Sequence, residues 1–144
     1  MKKSEPLVVV EHAFNCPVTD LWLALTERER MIQWYFADIP AFEPRVGFRT
    51  EFMVDAGERQ FLHQWEITEV VPEQKIAYRW RYDGYRGAAQ SVFELSGDAN
   101  ASHLRVSFPV EEDFQDNVPE FNREACLGGW NYFIKEQLAA YLAC

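Results

Sequence analysis

The feature that most constrains this chain is a series of alternating segments that ends in a change of period. Val46 to Asp55 sets Phe48, Thr50, Phe52 and Val54 against Arg49, Glu51 and Met53. Gln60 to Val71 sets Phe61, His63, Trp65 and Ile67 against Gln64, Glu66 and Thr68. Lys75 to Tyr82 sets Ile76, Tyr78, Trp80 and Tyr82 against Lys75, Arg79 and Arg81. Ala88 to Ser96 sets Ala89, Ser91, Phe93 and Leu95 against Gln90 and Glu94, and His103 to Val110 sets Leu104, Val106, Phe108 and Val110 against Arg105 and Ser107. Successive side chains of a strand point to opposite faces, so this pattern predicts half-buried antiparallel strands. The breaks hold turn residues: Ala56-Gly57, Pro72-Glu73-Gln74, Asp83-Gly84 and Gly97-Asp98. Strands at this even spacing predict a meander.

From Val118 to Leu142 the period becomes three to four. Phe121, Ala125, Trp130, Phe133, Ile134, Leu138, Tyr141 and Leu142 form one apolar stripe, which predicts a long amphipathic helix with Pro119 in its first turn. Gly128-Gly129 falls inside it. A mid-helix glycine costs ~1 kcal/mol against alanine, so the pair needs a reason, and close packing on a neighbouring surface is the one expected.

Ahead of the alternating series, Leu7 to Asn15 is rich in β-branched residues and reads as a strand. Pro17 suits a helix start, and helices are expected over Val18 to Leu25 and Glu27 to Trp34. Ala37 to Glu43, holding Pro40 and followed by Pro44, is at best a short edge strand. The predicted fold class is α+β: a curved antiparallel sheet, in the order β-α-α-β6-α, wrapped around a long C-terminal helix. All 144 residues are expected to form one domain.

Charge narrows the function classes. Lys and Arg number 14 and Asp and Glu 23, for a net charge of −9, which argues against nucleic acid and against anionic membrane surfaces. No apolar run is long enough to span a membrane, and Leu7 to Val10 is too short for a signal peptide core. A cytoplasmic protein is expected. The three cysteines, Cys16, Cys126 and Cys144, lie far apart without a CxxC pair, so neither a disulfide framework nor a zinc site is expected.

Several residues carry a family resemblance. Phe14-Asn15-Cys16-Pro17 with Asp20-Leu21-Trp22 resembles an opening "F-x-A-P-x-x-x-x-W". Ile32-Gln33-Trp34-Tyr35-Phe36 resembles "l-x-x-W-f", and Glu69 to Ile76 with Trp80 resembles "E-V-x-P-x-x-R-L-x-x-x-W". Gly129-Trp130 with Leu138 and Leu142 resembles a C-terminal "G-W" helix. Cys16 stands for the usual Ala, Lys75 for the usual Arg, and Ser102-His103-Leu104 for a common "G-T-x-L". Over residues 7 to 142 the chain is similar to the SRPBCC (START-like, helix-grip) superfamily, and within it to the activator of heat-shock protein 90 ATPase group. The resemblance implies a cavity between sheet and helix that often takes a hydrophobic small molecule. It also implies relatives that are lipid carriers, polyketide cyclases, aromatases and stress-response co-chaperone domains. Fold does not choose among these. The chain is too short to hold the separate N-terminal domain of the eukaryotic activators.

Candidate site residues follow from the inward set. Phe48, Phe52, Phe61, Trp65, Tyr78, Trp80, Phe93 and Phe108, with Phe133 and Ile134 from the helix, either line an aromatic pocket or fill the core with their rings. His63 falls among them, and a buried imidazole needs partners; Thr50, Tyr78 and Ser91 are the candidates. It would orient a ligand or act as an acid or base, or else be a hydrogen-bonded core histidine. His12, His63 and His103 have no metal-ligand spacing, and Cys126 has no adjacent base. No metal, cofactor or catalytic residue is therefore expected. Glu111-Glu112-Asp113 with Asp116 reads as a solvated loop before the last helix.

The favoured reading is a non-enzymatic binding domain for a small apolar or aromatic molecule. The alternatives are a co-chaperone-like domain that binds a chaperone ATPase, and a cyclase or aromatase built around His63.

Overall fold

The computed structural model describes residues 1–143. Strand β1 (Val9–Phe14) leads into helices α1 (Val18–Thr26) and α2 (Arg28–Trp34). Strands β2 (Arg49–Asp55), β3 (Gln60–Val71), β4 (Lys75–Tyr82), β5 (Ala88–Gly97), β6 (Ser102–Ser107) and β7 (Val110–Glu112) follow. A short 3-10 turn, Pro119–Phe121, precedes the terminal helix, which begins as α3 (Arg123–Asn131). This is the predicted α+β helix-grip arrangement.

The sheet order is β1-β6-β5-β4-β3-β2, with β7 also pairing β5. All pairings are antiparallel. Register places Trp65 opposite Trp80, and His63 opposite Tyr82. A bulge in β3 between Ile67 and Glu69 adds local twist and bends the strand, which helps the sheet curve toward the helix. At the β2–β3 turn Gly57 has φ +91°, and its N–H donates to the Asp55 carboxylate at 2.8 Å, an Asx turn that glycine closes without strain.

The two short helices are tied to each other by a buried hydrogen bond. The Trp34 indole N–H donates to the Ala24 carbonyl at 2.8 Å. Thr26 donates to the Trp22 carbonyl at 2.7 Å, and Glu27 turns extended, so α1 stops where a new helix begins.

Several expectations need correction. Ala37 to Glu43 forms no strand; Pro40 lacks a ladder N–H, and the segment instead buries Ile39 and Phe42 in the core. The sixth strand after the helices is β7, because His103 to Val110 breaks at Phe108-Pro109. The terminal helix starts at Arg123 rather than Val118. There the Asn122 side chain caps it, accepting from the Ala125 N–H at 2.7 Å. Cys126 is a free thiol, whereas Cys16 is disulfide-bonded, against the expectation of no disulfide; Cys144 lies outside the described residues.

The terminal helix also changes its winding. Tyr132–Leu138 is π-helical, and Ala139–Tyr141 returns to α. The buried residues explain why. Trp130, Ile134, Leu138 and Leu142 recur at strict four-residue steps. In an α-helix each such step overshoots a turn by about 40°, so three steps would swing Leu142 about 120° off the core face. The wider i→i+5 turn takes back that drift. All four side chains then stay on the sheet.

Candidate functional site

Most of the predicted aromatic set fills the core. Trp65 sits among Tyr35, Phe52, Tyr78 and Trp80, with ring centroids 4.6 to 5.4 Å away. Phe93 packs on Tyr78 and Trp130. Phe61 packs on Tyr82, Tyr85 and Phe121. Phe52 stacks on His63 at 5.3 Å, and Ile134 is fully buried. Phe48 and Thr50 lie at the β2 edge, half-buried, and Phe48 faces Phe42.

The predicted polar partners are committed elsewhere. The Tyr78 hydroxyl meets the Tyr35 hydroxyl at 2.9 Å. Ser91 donates to the Tyr78 backbone carbonyl at 3.3 Å. Neither Thr50, Tyr78 nor Ser91 holds His63.

A cavity of about 150 Å³ remains between β3–β4 and the terminal helix. Of the predicted residues, His63, Trp80, Phe108 and Phe133 line it. Phe36, from the loop after α2, and Trp130 complete the aromatic wall, with Tyr82, Glu120, Ala125, Cys126 and Gly129 beside them. Tyr82 was legible from the β4 alternation, and Trp130 from the helix stripe. Phe36 gave no periodic signal, because it follows α2 in irregular chain.

Gly129 accounts for part of the space. A Cβ built on it meets nothing within 4 Å, and the same holds for Gly128. The glycine pair therefore does not serve close packing, contrary to expectation. At Gly129 the missing side chain leaves cavity volume.

His63 is 5% exposed, and its Nδ1 lies 3.1 Å from the Phe61 carbonyl. A carbonyl only accepts, so we assign the proton to Nδ1 and leave Nε2 as a bare acceptor. Nε2 has no hydrogen-bond partner among the described residues. Burial pulls the imidazole down to about 4, against a smaller raising effect from the Phe61 carbonyl, so the ring is neutral near pH 7.

Trp80 is also 5% exposed, and its indole N–H has no hydrogen-bond partner. It lowers the pKa of the Tyr82 hydroxyl, against a larger rise from burial, without reaching hydrogen-bond geometry. The Cys126 thiol is pushed up to about 12, first by burial. It stays protonated and is a poor nucleophile. Among the described residues no cluster of His, Cys, Asp or Glu could hold a metal ion, and no helix is long and apolar enough to cross a membrane.

A larger groove of about 500 Å³ includes Arg49, Glu51, Gln64, Glu66, Arg79 and Arg81. Glu66 bridges Arg49 at 3.2 Å and Arg79 at 3.6 Å, and Arg81 reaches Glu112 at 3.8 Å. These exposed pairs are solvated and contribute little. The aromatic-walled cavity, with its unpaired imidazole nitrogen, is the better candidate site.

Comparison with known proteins agrees with this architecture. The family model for Activator of Hsp90 ATPase homolog 1-like protein matches residues 15–143. Among curated proteins none matches the chain in sequence. Among solved structures, DynU16, a protein of the dynemicin biosynthetic locus, is 27% identical at TM-score 0.75, over 96% of this chain and 48% of that one. The chain thus spans about half the length of DynU16. A Chromobacterium violaceum protein is 21% identical at TM-score 0.76, covering 96% of this chain and 97% of its own. The Aha1 dimer from Colwellia psychrerythraea is 17% identical at TM-score 0.71, with 96% of each chain covered. The latter two show a shared fold.

Proposed function

This chain belongs to the Activator of Hsp90 ATPase homolog 1-like family, and on that premise we propose that it binds a small apolar or aromatic molecule in the cavity between the sheet and the terminal helix. The observation that carries this reading is the cavity itself. It has aromatic walls in Phe36, Phe108, Trp130 and Phe133, and beside them His63, whose Nε2 has no partner among the described residues. An acceptor so placed is free to pair with a donor on a ligand. A ligand would supply contact area to the rings and a hydrogen bond to that nitrogen.

The reading is of a binding domain rather than an enzyme. His63 is neutral and could take a proton, but general acid–base turnover needs a second group placed across the substrate. Tyr82 is held protonated by burial and Cys126 likewise, and the Glu120 carboxylate accepts from Arg59 at 3.1 and 3.2 Å. Tyr82 and Cys126 are not ready bases or nucleophiles, and Glu120 is engaged with Arg59.

Native mass spectrometry of the purified protein, followed by melts with single-ring aromatic compounds, tests the reading. A ligand at 100 times its Kd stabilises by ~2.7 kcal/mol, which a melt detects. A retained mass or a clear rise in Tm is expected. No mass and no shift would sink it, and would favour the chaperone-ATPase contact that the family name implies, read as stimulation of ATP hydrolysis.

A further inference from the structure

The sheet ends in an open edge at β2, and we propose that this strand pairs there with β2 of a second copy of the chain, antiparallel and centred on Phe52. β2 is the last strand in the sheet order, and among the described residues no strand lies beyond it. It runs for 7 residues, and neither a proline nor a bulge interrupts it. Its backbone is therefore a ready template for another strand.

The backbone groups on offer can be named. The Phe48 carbonyl accepts from the Ile67 N–H at 2.9 Å, and the Ala56 N–H donates to the Arg59 carbonyl at 2.8 Å. Bonded residues alternate along an antiparallel ladder, so Thr50, Phe52 and Val54 bond to β3. The N–H and C=O groups of Arg49, Glu51, Met53 and Asp55 point out of the edge. The side chains of these four are exposed on the outer face of the sheet.

Charge then chooses the occupant and the register. A strand that pairs with its own copy about a two-fold axis closes at a dimer. The outward groups must meet one another, so the register can move only in steps that keep these four positions facing. Centred on Phe52, the pairing sets Arg49 against Asp55 of the second copy, Asp55 against its Arg49, and Glu51 against its Met53. Centred on Glu51, it sets that carboxylate against its own copy. Centred on Met53, it sets Glu51 against Asp55 twice. Opposite charges directly across a strand pair stabilise it and like charges destabilise it. The Phe52-centred register joins the whole strand with two ion pairs and no like-charge contact. Arg49 has donors beyond the one given to Glu66, and Asp55 has an oxygen beyond the one that accepts from Gly57.

Analytical ultracentrifugation and native mass spectrometry, from micromolar to millimolar protein, make the test. The ionic strength is physiological, so that the −9 charge on each copy is screened beyond about 8 Å. The native chain should dimerise reversibly. Arg49→Asp and Asp55→Arg should each weaken the dimer about tenfold or more. Mixed together, the two variants should form a heterodimer, because each supplies the charge the other has lost. A native chain that stays monomeric at millimolar concentration overturns the pairing and leaves the edge to a strand of some other protein. A dimer that both variants leave unchanged, or a mixture that does not recover, overturns it as well. Should Asp55→Arg not fold, hydrogen exchange decides. The Glu51 and Met53 amides should exchange more slowly at high concentration in the native chain and not in Arg49→Asp; native amides equally fast at both concentrations overturn the proposal.

Discussion

The hydroxyls of Tyr35 and Tyr78 meet 2.9 Å apart inside the core, joining the end of α2 to the centre of β4. Burial raises the pKa of both phenols, so each keeps its proton and the bond survives at any ordinary pH. Removing one hydroxyl strands the other. Tyr35→Phe or Tyr78→Phe alone should cost about 1–3 kcal/mol. The double variant should cost less than the sum, because no unpaired hydroxyl remains. Urea unfolding of the four proteins checks this; strict additivity would contradict it.

Gly129 gives a prediction of opposite sign for stability and binding. Its Cβ position is empty, so Gly129→Ala should meet no clash and gain up to ~1 kcal/mol of helix propensity. That corresponds to a Tm rise of a few degrees, about 2–6 °C. The added methyl occupies cavity space, so ligand affinity should fall. A variant that melted higher and bound equally well would show that Gly129 does not shape the site.

His63 predicts an acid limit. Its pKa is lowered to about 4 in the folded chain by burial, whereas an unfolded histidine titrates near 6.5. Above about pH 6.5 both states are neutral there and nothing is lost. Between about 6.5 and 4 the unfolded chain takes up a proton that the folded chain refuses, so stability falls as pH drops through that window. Below it no further loss comes from this residue. The contribution is about 3 kcal/mol at most. His63→Phe should show a shallower decline over the same range in parallel denaturation curves, and an unchanged slope would refute the assignment.

Cys126 serves as a reporter of occupancy. With the thiol pushed up to about 12, little thiolate exists at pH 8, and alkylation by iodoacetamide should be slower than for a free thiol near 8.5 by ~100-fold or more. Because Cys126 lines the cavity, a bound ligand should slow it further. Peptide mass spectrometry follows the modification at this residue. Rapid labelling indifferent to ligand would place the thiol outside the site.

Trp65 and Phe133 separate core from wall. Trp65→Ala removes a ring buried among six others and should cost about 3–5 kcal/mol. Phe133 is half-buried and borders the cavity. Phe133→Ala should enlarge the cavity at lower cost and shift preference toward bulkier rings. Melts and a size series of ligands read both effects.

The sheet was legible because strand alternation is a local signal. Phe61, His63, Trp65 and Ile67 had to share a face, as did Ile76, Tyr78, Trp80 and Tyr82, whatever lay opposite them. The four-residue steps from Trp130 to Leu142 also carried a trace of the altered helix winding, since an α-helix cannot hold that spacing on one face. Ala37 to Glu43 was not legible, because Ile39 and Phe42 are buried by packing rather than by any repeat.

The site was less legible than the sheet. His63, Trp80, Phe108 and Phe133 were named correctly as inward-facing, but so were Phe52, Phe61, Trp65, Tyr78, Phe93 and Ile134, which only fill the core. By itself the sequence determined which side chains face inward, through the periods of strand and helix. Tertiary structure alone decided which of them border empty space. A cavity is the volume that rings from distant segments fail to fill, and Phe36, His63, Trp80, Gly129 and Phe133 become neighbours only when the sheet closes on the helix.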